Sequence, residues 1–153
     1  MNEQIELYKK HTTDFLDALA LIPDRLRNES VDGEWSAAYI VHHTSDIEIH
    51  FSARYLLAMG ADNPELVFFD ENVYADRLHY EKRSLNKSLA AFVGIRAMIG
   101  ETLANLDPES WDRTMSHSGG KTATLSRLVS KADSHIVAHT EQMRELAAKL
   151  SQA

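Results

Sequence analysis

The sequence predicts an all-α fold, an antiparallel four-helix bundle with long connections after the second and third helices. Three observations predict it. Only six glycines and three prolines interrupt 153 residues. Runs rich in Ala, Leu, Glu, Lys and Arg dominate, and these residues favour helix. Apolar residues recur at helical spacing through four long segments. The length suits one domain spanning residues 1–153, large enough to bury a core.

The first helix is expected from about Glu3 to Asn28, with Ile5, Tyr8, Thr12, Phe15, Leu19 and Ile22 on one stripe. Pro23 kinks it or ends it. Gly33 marks a turn in the short linker. Ser36, directly after Trp35, is suited to cap the second helix, which should run to Met59 and stop at a left-handed Gly60. Its stripe is Ile40, His43, Ile47, Phe51, Arg54 and Ala58, with His50 and Leu57 alongside. The segment from Ala61 to Leu78 reads as an ordered loop, because its "NPELVFFD" portion is too short and isolated to build a sheet. A third helix over about His79 to Leu106 carries Leu85, Leu89, Phe92, Arg96, Ile99 and Leu103. The stretch "DPESWDRTMSHSGGKTA" is a second loop, broken by Pro108 and Gly119-Gly120. The fourth helix, about Thr124 to Leu150, carries Leu125, Leu128, Ala132, His135, His139, Met143, Leu146 and Leu150. Both long connections are expected to lie over the bundle ends.

Composition narrows the function. A net charge of -7 argues against nucleic-acid binding, which needs a basic face. No long uncharged apolar run predicts a membrane span, and the polar opening "MNEQIELYKK" carries no signal segment. A cytoplasmic location is the expectation. With no cysteine, any metal must be held by nitrogen and oxygen, and any thiol chemistry must use an external thiol.

Eight histidines are many for this length. His135 and His139, four apart on a helix, project in parallel with Cβ atoms roughly 6 Å apart. Both fall on the apolar stripe. A lone imidazole there is usually a hydrogen-bonded core residue, but two in successive turns each need a partner. His43 lies on the inward stripe of the second helix, whereas His42 is rotated by about a hundred degrees. If these helices pack side by side, three imidazoles converge. Three His ligands with one open position are a catalytic pattern; a fourth ligand, from His50 or His117, would close the site and make it structural. The intervening Ile136, Val137 and Ala138 leave no HExxH glutamate base.

The stretch "GEWSAAYIVHHTSDIE" resembles the helix-two signature of the DinB-like superfamily, in which a His follows the Trp by eight positions and an acidic residue comes soon after. Trp35 plus eight is His43, and Glu48 matches the acidic position. "SHIVAHTEQMREL" is similar to the family's His-x-x-x-His segment followed by Gln, and "HSGGKTATLSRLV" to the loop before it. "DNPELVFFDENVYADRL" looks like a branch described as metal-dependent hydrolases. The resemblance covers most of the chain. It implies a four-helix bundle that holds one divalent metal through His43, His135 and His139. It also implies a small-molecule substrate, a homodimer, and either water or a low-molecular-weight thiol as the activated nucleophile.

Zinc, nickel, iron and manganese all suit a nitrogen-rich site. Such a metal lowers the pKa of bound water from 15.7 to about 7 and drives a thiol to thiolate. The resulting expectation is a hydrolase or a thiol S-transferase. The alternatives are a non-catalytic, stress-associated metal- or ligand-binding bundle and a metal-free helical module. Around the metal, Glu48 or Asp46 could orient an imidazole, although a solvated face suits Asp46 better. His50 is a candidate proton shuttle, and His117 a residue that closes over the site from its loop. Arg54 and Arg96 sit among apolar residues, and a buried guanidinium demands an anionic partner. That partner is Glu48 or another carboxylate, or else an acidic substrate or the carboxylates of a thiol cofactor; failing both, the stripe is misassigned at its ends. Trp35 and Trp111 read as packing residues.

Overall fold

In the computed structural model, which describes residues 2–67, 69–117 and 120–152 without the side chains of Asn2 and His117, the chain is mostly helical. Four long helices carry it: α1 (Asn2–Ala20), α2 (Ala37–Gly60), α4 (Leu85–Ala104) and α5 (Leu125–Leu150), with α3 (Tyr74–Arg77) a single turn. Helix α1 packs on α4 and α5, and α2 on the same two helices. The expected stripes are the buried faces: Ile5, Tyr8, Phe15, Leu19 and Ile22; Ile40, Ile47, Phe51 and Ala58; Phe92, Ile99 and Leu103; Leu125, Leu128, Ala132, Met143 and Leu146.

Two apolar clusters fill the bundle, and their membership fixes the helix directions. One gathers Ile5 and Tyr8, residues 47–58 of α2, Ile99 and Leu103, and the first turns of α5. The other gathers Phe15 to Ile22, Ala37 to Val41, Phe92, and Ile136 to Leu146. Helices α1 and α5 therefore run one way, and α2 and α4 the other. This corrects the expected alternating antiparallel order. Parallel neighbours need a long return connection, so residues 61–84 travel back along the bundle instead of capping one end. That path carries Glu71 and Tyr74 past the middle of α2 and α5.

A polar layer separates the clusters. Arg96, 2% exposed, donates to Glu48 Oε2 at 3.2 Å and to Asp133 Oδ1 at 3.1 Å. It also donates to Thr12 Oγ1 and the Tyr8 carbonyl. Tyr8 Oη donates to Glu48 Oε1 at 2.7 Å, and His11 Nδ1 meets Asp133 Oδ2 at 2.6 Å. Every member has a partner, which is the condition for burying such charges at tolerable cost.

Five further expectations are corrected. Helix α1 ends at Ala20, and Pro23 leads into a 3-10 turn at Asp24–Leu26. Gly60 is the last helical residue and is not left-handed, since Ala61 follows in extended conformation. The third long helix starts at Leu85, capped by Ser84, and not at His79, which has φ +52. The preceding "HYEKRS" is instead fastened to α2. Tyr80 Oη donates to Asp46 Oδ2 at 2.9 Å, and Arg83 grips both Asp46 oxygens at 2.6 and 2.9 Å. Asp46 is thus buried and paired, not solvated. Finally, the two expected loops meet in a small sheet: β1 (Glu65–Leu66) pairs parallel with β2 (Thr114–His117), and β2 antiparallel with β3 (Lys121–Thr124). β1 gains its hydrogen bonds from a strand about fifty residues downstream, so no local pattern announced it.

Candidate metal centre

Ser36 Oγ accepts the Tyr39 amide at 3.3 Å and starts α2, which places His43 two turns in, facing α5. His135 and His139 meet it from α5. The Nε2 atoms of His43 and His135 are 3.2 Å apart, as are those of His135 and His139. One ring nitrogen of each lies within 4.8 Å of the other two.

The electrostatics suit electron-pair donation. Burial pushes the His43 imidazole down to about 4, with His139 acting in the same direction. Burial pushes His135 down to about 3, helped by His139, His43 and Lys131. Burial also lowers His139. All three rings are therefore neutral at pH 7. His139 Nδ1 donates to Gln142 Oε1 at 2.8 Å, so the single proton of this neutral ring sits on Nδ1 and the Nε2 lone pair faces the cluster. His135 Nε2 can donate to only one of its two neighbours, leaving an inward lone pair without a proton. A cation held between the three nitrogens would resolve this conflict. Ligands bound at about 2.0–2.1 Å in tetrahedral directions stand about 3.3–3.4 Å apart, close to both 3.2 Å separations. Among the described residues, the Nδ1 atoms of His43 and His135 are buried without a partner. Trp35 braces His43 edge-on, with ring centroids 5.1 Å apart.

The family model for the DinB superfamily matches residues 7–143. The chain belongs to the DinB superfamily. It is 24% identical over 148 residues to a Halalkalibacterium halodurans protein named "Putative metal-dependent hydrolase BH0277", across 92% of this chain and 86% of that one. It is 27% identical over 97 residues to "Putative metal-dependent hydrolase OB0782" of Oceanobacillus iheyensis, across 60% of this chain and 56% of that one. The match therefore spans little more than half the length of the second relative. Among solved structures, YfiT from Bacillus subtilis, described as "a probable metal-dependent hydrolase with an unusual four-helix bundle topology", superposes with a TM-score of 0.84 at 18% identity, covering 98% of this chain and 87% of YfiT. A mycothiol-dependent maleylpyruvate isomerase superposes at 0.74 with 14% identity, over 93% of this chain and 60% of the isomerase. These two likenesses bear on the fold.

Within this DinB fold the remaining predicted site residues separate. Glu48 and Arg96 belong to the core, not the site: each is the other's partner in the polar layer, because Arg96 needs a buried carboxylate more than the cluster needs either. His42 turns away, as its rotation predicts, and its Nδ1 meets Ser88 Oγ at 2.8 Å. His50 Nε2 meets Tyr74 Oη at 2.6 Å and its ring stacks on Phe69, centroids 4.0 Å apart. It supports the connecting segment rather than the imidazole cluster. The side chain of His117 lies outside the described residues. Arg54 stays near the site. It is half-buried, its guanidinium 4.6 Å from the Phe69 ring centroid, and it donates to the Val67 carbonyl at 2.7 Å.

One neighbour escaped the sequence reading. Glu71 Oε2 stands 3.8 Å from His43 Nε2 and 3.6 Å from His135 Nε2. It borders a mouth of about 280 Å³ with Phe51, Phe69, Asn72, Lys131 and His135. Glu71 lies on the returning connection, so no helical spacing relates it to the histidines. Its position inside the "FFDENVYADR" segment, which resembles the hydrolase branch, was the available signal.

Proposed function

We propose that this DinB protein is a metal-dependent hydrolase whose His43, His135 and His139 hold one divalent cation and leave a position open toward the mouth. The observation that carries this reading is the inward convergence of three neutral imidazoles at ligand-like spacing, with the Gln142 carbonyl fixing the tautomer of one. The names of the two curated relatives support it. A divalent cation bound there would supply Lewis acidity, which brings the ionisation of water or a thiol toward neutral pH.

The chain's own residues do the rest. Gln142 holds His139 in register, as outer partners of metal-binding His residues do. Glu71, beside two of the rings and half open to solvent, accepts the proton of a nucleophile entering through the mouth. Phe51 and Phe69 give the mouth an apolar wall that limits competing water. His50 and Tyr74 hold the segment bearing Glu71 against α2.

A second reading has its own support. The chain has no cysteine, and one structural neighbour is mycothiol-dependent. In this reading the three histidines would hold a cation whose charge favours the thiolate of a small external thiol, and Glu71 would take up the proton that the thiol releases.

The test uses tag-free protein stripped of metal and reloaded with zinc, nickel, manganese or ferrous iron. It is assayed on esters, amides and phosphoesters, then on electrophiles with a panel of low-molecular-weight thiols. Metal-dependent turnover that disappears in a folded His135→Ala variant is the expected result. Turnover indifferent to metal and to His135, or none with any pairing, overturns the reading.

A further inference from the structure

Next to the imidazole cluster, between the sheet and the first turns of α5, lies a cleft of about 710 Å³ lined by Arg54, Leu66, Lys121, Arg127, Leu128 and Lys131 among others. Its charged residues are all cationic, in a chain of net charge -7. No carboxylate among the described residues lines it, and none forms an ion pair with any of the four cations. Arg54 is the telling member. Its guanidinium is half-buried and held in place by Phe69 and the Val67 carbonyl, yet among the described residues it meets no anion of the kind a partly desolvated guanidinium normally pairs with.

The cleft is continuous with the mouth of the candidate metal centre, because Arg54 and Lys131 line both. Helical geometry explains the continuity. Arg127, Lys131, His135 and His139 follow one another at four-residue steps, so each lies beside the next along α5. Lys131 lies about 6 Å, and Arg127 about 12 Å, along the helix from His135.

From this placement we infer that the cleft is a substrate-recognition site for a small organic anion. Arg54, Lys121, Arg127 and Lys131 bind a carboxylate or phosphate group located about 6–12 Å from the atom presented to the imidazole cluster. The inference rests on the proposed reading of that cluster as the reacting centre. Leu66 and Leu128 supply an apolar floor for the chain joining the two ends of the ligand. The volume is that of a small-molecule site, and a strongly acidic chain does not suit a polyanionic polymer.

The test titrates the whole protein with adipate, with phenyl phosphate and with neutral 1,6-hexanediol at low ionic strength, by calorimetry and amide chemical shifts. Adipate or phenyl phosphate is expected to bind with shifts centred on residues 120–131 and Arg54, and hexanediol is not; the two anions decide between carboxylate and phosphate. The exposed double substitution Arg127→Gln with Lys131→Gln should lower the association constant at least tenfold with helicity unchanged. Anion binding should persist in metal-stripped protein and in His135→Ala. The recognition site is thereby tested even if the metal reading fails. Absence of binding by both anions, or binding unchanged in the double variant, overturns the inference.

Discussion

His43 and His135, 92 positions apart in sequence, bring their Nε2 atoms to 3.2 Å across the seam between α2 and α5. Two neutral imidazoles gain little from facing each other this way. Each holds its ring in register through the helix beneath it, and the pair becomes favourable when a cation sits between the lone pairs. Around that relationship the protein can be tested piece by piece.

Gln142 fixes the tautomer of His139 through its Oε1 atom. Replacing Gln142 with Leu removes the acceptor while keeping a good helix former. Metal affinity is expected to fall about 10- to 100-fold, as for other outer partners of ligand His residues. Competition against a chromophoric chelator measures it, and Gln142→Glu should restore most of the loss.

Glu71 places a carboxylate oxygen within 3.8 Å of two ring nitrogens. A unit charge a few ångströms from a divalent ion would be worth on the order of 2 kcal/mol even at the dielectric constant of water. Glu71→Gln should weaken divalent-metal binding about tenfold. Because the side chain is half open to solvent, the urea midpoint of the metal-free protein should not move.

Arg96 is expected to behave oppositely. Arg96→Met leaves Glu48 and Asp133 buried beside an apolar side chain. Such a broken buried pair costs about 3–5 kcal/mol, readable as a large drop in the urea midpoint. Arg54→Met, which breaks no ion pair among the described residues, should cost far less. A small loss for Arg96→Met would show that the polar layer is not what joins the two apolar clusters.

The metal-free protein should lose stability in acid, starting near pH 6.5. Burial, reinforced by Arg83, holds His42 down at about 4, while His43 sits at about 4 and His135 at about 3. In the unfolded chain each titrates near about 6.5. Below that value the unfolded chain takes up protons that the folded chain refuses. Each ring then subtracts up to about 1.4 kcal/mol per pH unit until its folded value is reached. Urea midpoints of chelator-treated protein should fall between pH 7 and pH 5, and bound metal should shift the onset to lower pH.

Much of this architecture was legible because it is periodic. The stripes of the four long helices and the inward placement of His43, His135 and His139 follow from 3.6-residue spacing, and Ser36 signals its cap locally. What was hidden is non-local. β1 depends on β2 for its hydrogen bonds. Asp46 looked solvated because its partners Tyr80 and Arg83 arrive from another element. The alternating helix order was the simplest reading of four similar helices, yet only packed contacts reveal that α2 and α4 run together. Glu71 reaches the histidines because of that order.

The most direct test is the metal content of tag-free protein and of its His43→Ala and His135→Ala variants, measured by plasma mass spectrometry after gel filtration with the fold checked by circular dichroism. About one equivalent of a divalent transition metal per chain is expected in the parent protein, and a small fraction of that in either folded variant. Parent protein that takes up no metal when offered an excess, or variants that keep the full equivalent, would contradict a cation shared by α2 and α5.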